Sequence, residues 1–360
     1  MKQYKFIYQT WWKVLAVLLM LYTIIVGFWI PLRPGILQVS QNIFQSGQHY
    51  DIDVTTYNAH FTDEASMLQA YLKVGDDHFT RVPYVTVRDR NLVNLKGQLP
   101  DDVPGGEDMV NATLIFQDGI DGFIVYPPGV VIQKGTASTS SASWDDDISP
   151  YTTEWSWKFP YVGNLWETIR NTFFHVAIWM AMFVLLIVSL IYSIKYLRSS
   201  DLVHDAVASS FTEVAIVLGM AGMITGCFWA KATWGTYWTN DPKLNMAAVS
   251  VMIYCAYLIL RASLTNQDQR AKVSAAYNIF AFVAMIPLIF IIPRLNDSMH
   301  PGNGGNPALG GEDLDSTLRL VFYPTILGYT LMGVWLSSQI FRFKRLAIKK
   351  LERSLHTLSP

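Results

Sequence analysis

Apolar and polar positions alternate along this chain on three length scales. Six stretches near residues 14–30, 172–194, 214–230, 244–260, 274–293 and 320–341 are apolar for long enough to cross a hydrocarbon layer roughly 30 Å thick, which takes about 17–25 residues as a helix. Between the first and second stretches the period shortens to two. FTRVPYVTVRD, ATLIFQDG and GFIVYPPGVVIQ alternate as half-buried strands do, and KVGDD and LPDDVPGG supply turns. DEASMLQAYL fits either a helical turn or an irregular strand. TASTSSASWDDD, with neither period, reads as a flexible tether. The expected fold class is an all-α membrane bundle of six transmembrane helices with an inserted extracytoplasmic β-sandwich-like domain, small and antiparallel. The expected divisions are a first helix over 1–31, a β-rich domain over 35–145, a tether over 146–170, a five-helix membrane domain over 171–342 and a basic tail over 343–360.

Composition supports the membrane assignment. The 360 residues are 51% hydrophobic and 15% charged, well below the charged share of about a quarter in soluble domains. Lys2, Lys5 and Lys13 precede the first stretch, but FWIPLRPG follows it in place of a small-residue cleavage pattern, so an uncleaved anchor is expected. Lys195, Arg198, Arg261, Arg270, Lys272 and the five basic residues of RFKRLAIKK fall on the same side of six crossings as the N-terminal lysines. That side is expected to be cytoplasmic, with both termini on it, in the inner membrane of a bacterium. The segment between residues 31 and 170 carries 18 Asp plus Glu against 9 Lys plus Arg and is placed outside. Cys227 and Cys255 lie in apolar runs without CxxC spacing, and both read as packing residues.

Candidate chemistry concentrates on the outer face. His175, in NTFFHVAIWM, is placed one turn into the second crossing, and His300 lies in the outer loop after the fifth. An ionisable residue inside a membrane span is costly and points to function, although an interfacial histidine bonded to water or a carbonyl explains His175 equally well when it is taken alone. His49, His60 and His78 are scattered through the insert and read as surface or packing residues. WGTYWTND, residues 234–241, joins the third and fourth crossings. An interfacial aromatic belt accounts for Trp11, Trp12 and Trp29, but a belt requires no glycine, fixed spacing or following Asp.

GCFWAKATWGTYWTNDPKLN, with FFHVAIWM upstream and IPLIFIIPRLNDSMH downstream, resembles the tryptophan-rich haem-handling protein family, whose members assemble c-type cytochromes. The resemblance spans roughly residues 171–342, with a motif of the form WGxxWxWD. It departs at Asn240, where the family has an aromatic, and at LNDSM, where a tryptophan pair precedes the second histidine. The insert lies outside it. The resemblance implies a haem-binding protein, not an enzyme, that presents haem b outside the membrane to a haem chaperone, with an ABC-type transporter complex as a further candidate partner. The chain has no GxxxxGK[ST] loop of its own. Membrane lipid is an expected partner and nucleic acid is not.

In this reading His175 and His300 are axial ligands of the haem iron. Trp229, Trp234, Gly235, Tyr237, Trp238 and Asp241 form the platform, with Trp234, Tyr237 and Trp238 as an aromatic floor. Gly235 lets the backbone come close. Asp241 either orients an indole N–H or caps the next helix. Lys231, Lys243 and Arg294 are candidate propionate contacts, each equally readable as an interfacial cation. Two other functions fit parts of the chain. One is a cytochrome c synthase, whose known forms have more crossings and histidines; the other is an adhesion module with a membrane anchor.

Overall fold

The computed structural model describes residues 9–62, 67–135, 140–146, 148, 157–163, 165–300 and 314–358. They form two compact units, one of Pro31–Trp166 and one of Met1–Ile30 with Glu167–Pro360.

The helical unit contains α1 (Trp11–Trp29), α2 (His175–Ser199), α3 (Leu202–Trp234), α4 (Pro242–Ser263), α5 (Gln267–Ile286) and α6 (Ser316–Leu358). Six segments of this unit are long and apolar enough to cross a membrane, and the chain is a multi-pass membrane protein. Several helices overrun the apolar stretches, because hydropathy marks only the part that hydrocarbon must cover. Asp201 caps α3 by accepting from the Val203 N–H at 2.8 Å, twelve residues before the stretch expected at 214. The first half of α3 then carries Asp205, which receives a forked hydrogen bond from Arg261 at 2.8 and 2.6 Å, and Glu213, which pairs with Lys344 at 2.5 Å. Partnering of this kind makes charges tolerable among apolar helices.

Prolines explain two irregularities. Pro324 lies inside α6 and cannot donate to the Leu320 carbonyl one turn earlier. The Tyr22 hydroxyl of α1 donates to that carbonyl at 3.1 Å, and a buried Thr23–Thr325 bond of 2.7 Å fastens the same pair of helices. The fifth crossing was expected to be one helix over 274–293. Instead α5 ends at Ile286 and gives way to a π turn, Pro287–Ile291, and a 3-10 turn, Ile292–Leu295, each opened by proline chemistry. Ahead of α2, Arg170 sits in the 3-10 turn Trp166–Phe173 and donates to the Gly27 and Ile30 carbonyls at 2.5 and 2.8 Å. It thereby satisfies carbonyls that the end of α1 leaves open.

The inserted unit contains two sheets. Strands β1 (Gly35–Val39), β3 (His49–Tyr57), β7 (Leu92–Gln98) and β6 (Tyr84–Asp89) form one in that order. Strands β2 (Ile43–Gln45), β9 (Gly122–Gln133), β8 (Met109–Asp118), β4 (Gln69–Val74) and β5 (His78–Arg81) form the other. Ile52, Val54, Val93 and Leu95 of the first share one core with Leu72, Leu114, Phe116 and Ile124 of the second. The second sheet is not wholly antiparallel as expected. β2 runs parallel to β9, Ile43 facing Val131. These two strands are far apart in sequence, so no short hairpin dictates their relative direction. The second half of DEASMLQAYL is β4, and residues 63–66 lie outside the described residues.

TASTSSASWDDD is not free along its length. Trp144 is buried in the shared core, and its indole N–H donates to the Asp102 carbonyl at 3.0 Å. Its carbonyl accepts from the Phe79 N–H at 3.1 Å. Further on, Phe159 exchanges backbone bonds with Pro31 and Arg33 at 2.8 and 2.7 Å, so the chain entering the unit pairs with the chain leaving it. His60 takes the packing role of its two alternatives: the buried Asp121 carboxylate holds it at 2.9 Å and also meets Lys158 at 3.4 Å. Replacing Trp144 with Ala removes both a core side chain and a hydrogen bond. It is expected to destabilise the unit by roughly 3–5 kcal/mol, read as a large rise in amide exchange across β4, β5 and β8. Unchanged protection there would show that the segment is only draped over the core.

Candidate functional site

The C-terminal end of α3 builds the site on a single helical face. Thr225 and Gly226 lie three and four residues after Gly222, and four and three before Trp229, so the four share that face. His175 opens α2 directly, as its first residue and not one turn inside, because the preceding turn is 3-10. Its ring rests on that face. A Cβ added to Gly226 would stand 2.8 Å from the imidazole Cε1, and one on Gly222 would stand 2.8 Å from the Trp179 ring. Both glycines are therefore needed for close approach.

The His175 Nδ1 lies 3.0 Å from the Gly222 carbonyl and 3.2 Å from the Thr225 hydroxyl. A carbonyl only accepts, so this bond puts the hydrogen on Nδ1 and leaves the lone pair on Nε2. Thr225 can accept from the same N–H because its own hydroxyl is directed to the Ala221 and Gly222 carbonyls at 3.0 Å. A neutral imidazole with one nitrogen fixed by a backbone carbonyl is the form in which histidine binds metals.

His300 approaches His175 from a different element. It follows the 3-10 turn Ile292–Leu295, and the two ring centroids are 6.5 Å apart. Metal–imidazole bonds of about 2.0–2.1 Å place two imidazoles on opposite sides of one metal with centroids roughly 6–6.5 Å apart. Among the described residues no group of three or more His, Cys, Asp or Glu could hold a metal ion.

The tryptophans divide between the histidines. Trp229 meets the His175 ring edge-on at 5.7 Å, and Trp234 meets His300 edge-on at 6.4 Å. Trp229 is itself fixed by its indole N–H, which donates to the Thr168 hydroxyl at 3.1 Å. Tyr237 and Trp238 have other partners. Tyr237 stands edge-on to Phe228 at 6.1 Å, and the Trp238 indole donates to Asn245 at 3.3 Å. Asn245 in turn donates to Asn240 at 2.8 Å, so the residue that departs from the motif joins an amide chain ending on a motif tryptophan.

Gly235 serves the turn. Its φ of 79° closes α3 in the left-handed conformation, with nothing within 4 Å of an added Cβ. Lys231 donates to the Gly235 carbonyl at 2.7 Å and so caps the same helix end. Lys243 follows the start of α4, and Arg294 lies in the turn that leads to His300. Asp241 caps α4: one carboxylate oxygen accepts from the Lys243 and Leu244 N–H groups at 2.9 and 3.3 Å. Its other oxygen accepts from the Ser298 hydroxyl at 2.8 Å and the Met299 N–H at 2.9 Å. The capping alternative thus describes one half of this carboxylate, and no motif indole is bonded to it.

Residues 164–300 match the model of the Cytochrome C assembly protein family. The Heme exporter protein C of Paracoccus denitrificans is 26% identical over 185 residues, 49% of this chain and 73% of that protein. That of Rhodobacter capsulatus is 27% identical over 161 residues, 41% of this chain and 62% of that protein. The Cytochrome c biogenesis protein CcsA of Prochlorococcus marinus (strain MIT 9515) is 42% identical, over a shorter stretch of 67 residues, 19% of this chain and 22% of that protein. The chain therefore spans less than two thirds of the latter two relatives.

Gly226→Ala tests the face of small residues. The added methyl must displace an imidazole held by two hydrogen bonds, an overpacking that costs about 1–3 kcal/mol. Thermal unfolding in detergent should shift downwards, whereas Ala at the uncrowded Gly163 should change nothing. Equal behaviour of the two variants would mean that His175 is not seated on α3 as described.

Proposed function

We propose that this protein binds haem b on the extracytoplasmic face of a bacterial inner membrane and presents it to a haem chaperone during c-type cytochrome maturation. The observation that carries the reading is the His175–His300 pair, 6.5 Å between ring centroids, with the His175 Nδ1–H committed to the Gly222 carbonyl. A haem would bring its own ring nitrogens, and His175 and His300 would hold its iron. Trp229 and Trp234 would line the two ligand sides, and Tyr237 and Trp238 would extend the aromatic border outwards. Lys243 and Arg294 are the cations proposed for the propionates. The relatives' names as heme exporters support haem as cargo, and they make an ABC-type transporter complex a proposed partner. The protein acts in this reading as a carrier and not as an enzyme.

The proposed topology places the basic ends of the helices in the cytoplasm and residues 35–165 outside, with the two sheets forming a sandwich. The acidic insert would dock a partner. In inverted vesicles, protease should leave this unit intact; its digestion there would overturn the topology and the outward-facing site together.

The purified protein, loaded with haem, should show a six-coordinate low-spin absorption spectrum. His175→Ala or His300→Ala should convert it to a five-coordinate spectrum or lower haem content, while His204→Ala should do neither. Because only neutral imidazole has a lone pair for iron, haem retention should fall as pH falls and the histidines take up protons. Untouched spectra and haem content in both single variants would refute the site. Covalent haem attachment to an apocytochrome by this chain alone would assign a synthase in place of a carrier.

A further inference from the structure

An N-cap needs one side-chain oxygen, and Ser, Thr, Asn and Asp all provide it. Asp241 spends only one of its two oxygens on α4. The other reaches Ser298 and Met299, 57 and 58 residues further along, and Ser298 passes the link on by accepting from the His300 N–H at 3.1 Å. The carboxylate is 4% exposed, so the four bonds form away from competing water. The loop they hold has no regular structure from Asn296 to His300. It follows a π turn and a 3-10 turn whose prolines weaken the helical ladder. Nothing in its own backbone therefore fixes where His300 stands, whereas His175 is seated on a helix and against a helix.

We infer that Asp241 is a positioning residue for His300: it ties the start of α4 to the 298–299 loop and thereby sets the spacing of the two histidines. The inference rests on the paired-histidine reading of the haem site. It explains why an acid ends the tryptophan motif. An amide or a hydroxyl would cap the helix, but only a carboxylate can also accept both Ser298 Oγ–H and Met299 N–H on its second oxygen. It also makes the motif loop and the histidine loop a single unit, so a movement of the N-terminus of α4 would carry His300 with it and leave His175 in place.

The test uses Asp241→Ser in the full-length, haem-loaded protein. Serine keeps the cap and is too short, with its single oxygen, to hold the loop as well. The expected result is a folded protein that retains His175 ligation, loses the six-coordinate low-spin signature, and releases haem to apomyoglobin roughly 10–100-fold faster, the range found when outer-shell partners of metal-bound histidines are removed. Should Asp241→Ser not fold, Asp241→Asn decides. It keeps the shape and the capping oxygen but presents an NH2 group to the Met299 N–H, and the same spectral change and faster release are expected. A low-spin spectrum and release rate equal to those of the unmodified protein, in whichever of the two variants folds, would overturn the positioning role. His300→Ala, measured beside them, separates the two levels. If it alters the spectrum and the Asp241 variants do not, only the positioning role fails; if it alters nothing, the paired-histidine reading itself fails.

Discussion

The hydrogen bond between His175 Nδ1 and the Gly222 carbonyl is the constraint on which the histidine site depends. A helix carbonyl already serves its own ladder, and only a bare glycine row lets an imidazole reach its second lone pair. Gly222 and Gly226 provide that row, and Thr225 between them supplies the second partner. Because the acceptor cannot donate, the imidazole is fixed as one tautomer without any charged neighbour. A carboxylate in that place would have brought a charge to the membrane interface; a carbonyl brings none.

The second histidine is held in a different way, and the difference has physical content. His175 opens a long helix and lies on another, so its position follows from helix packing. His300 ends a stretch in which Pro287 and Pro293 have replaced α-helical turns with π and 3-10 geometry. Such a stretch is easily displaced, and the Asp241 carboxylate is the link from it to the helical frame. In the proposed haem site, the pair would join a ligand seated on helices to one held by a loop. That combination would suit a site that accepts a flat cargo and later gives it up.

Much of this was legible in the residues. The six crossings came from apolar length alone, and the histidines and the tryptophan loop came from their placement at crossing ends. The period-2 stretches located the strands, because a half-buried sheet leaves no other trace. What escaped notice depended on contacts between distant residues. The parallel pairing of β2 and β9 has no local signal, and Trp144 in a serine-rich stretch looks like tether until the core that receives it is known. The division of the tryptophans, Trp229 with His175 and Trp234 with His300, depends on where α3 ends. The GMITG spacing of Gly222, Thr225 and Gly226 was visible as a helical face, and could have been found by asking which small residues share a side with Trp229. The dual use of Asp241 could not, since nothing in the sequence joins position 241 to positions 298 and 299.

Pulsed electron paramagnetic resonance of the ferric, haem-loaded protein labelled with 15N-histidine addresses the central claim most directly. Two imidazoles on one iron predict hyperfine coupling to two histidine nitrogens in a low-spin centre, falling to one in either His175→Ala or His300→Ala. Coupling to a single histidine nitrogen in the unmodified protein, or coupling that survives unchanged in both variants, would contradict it.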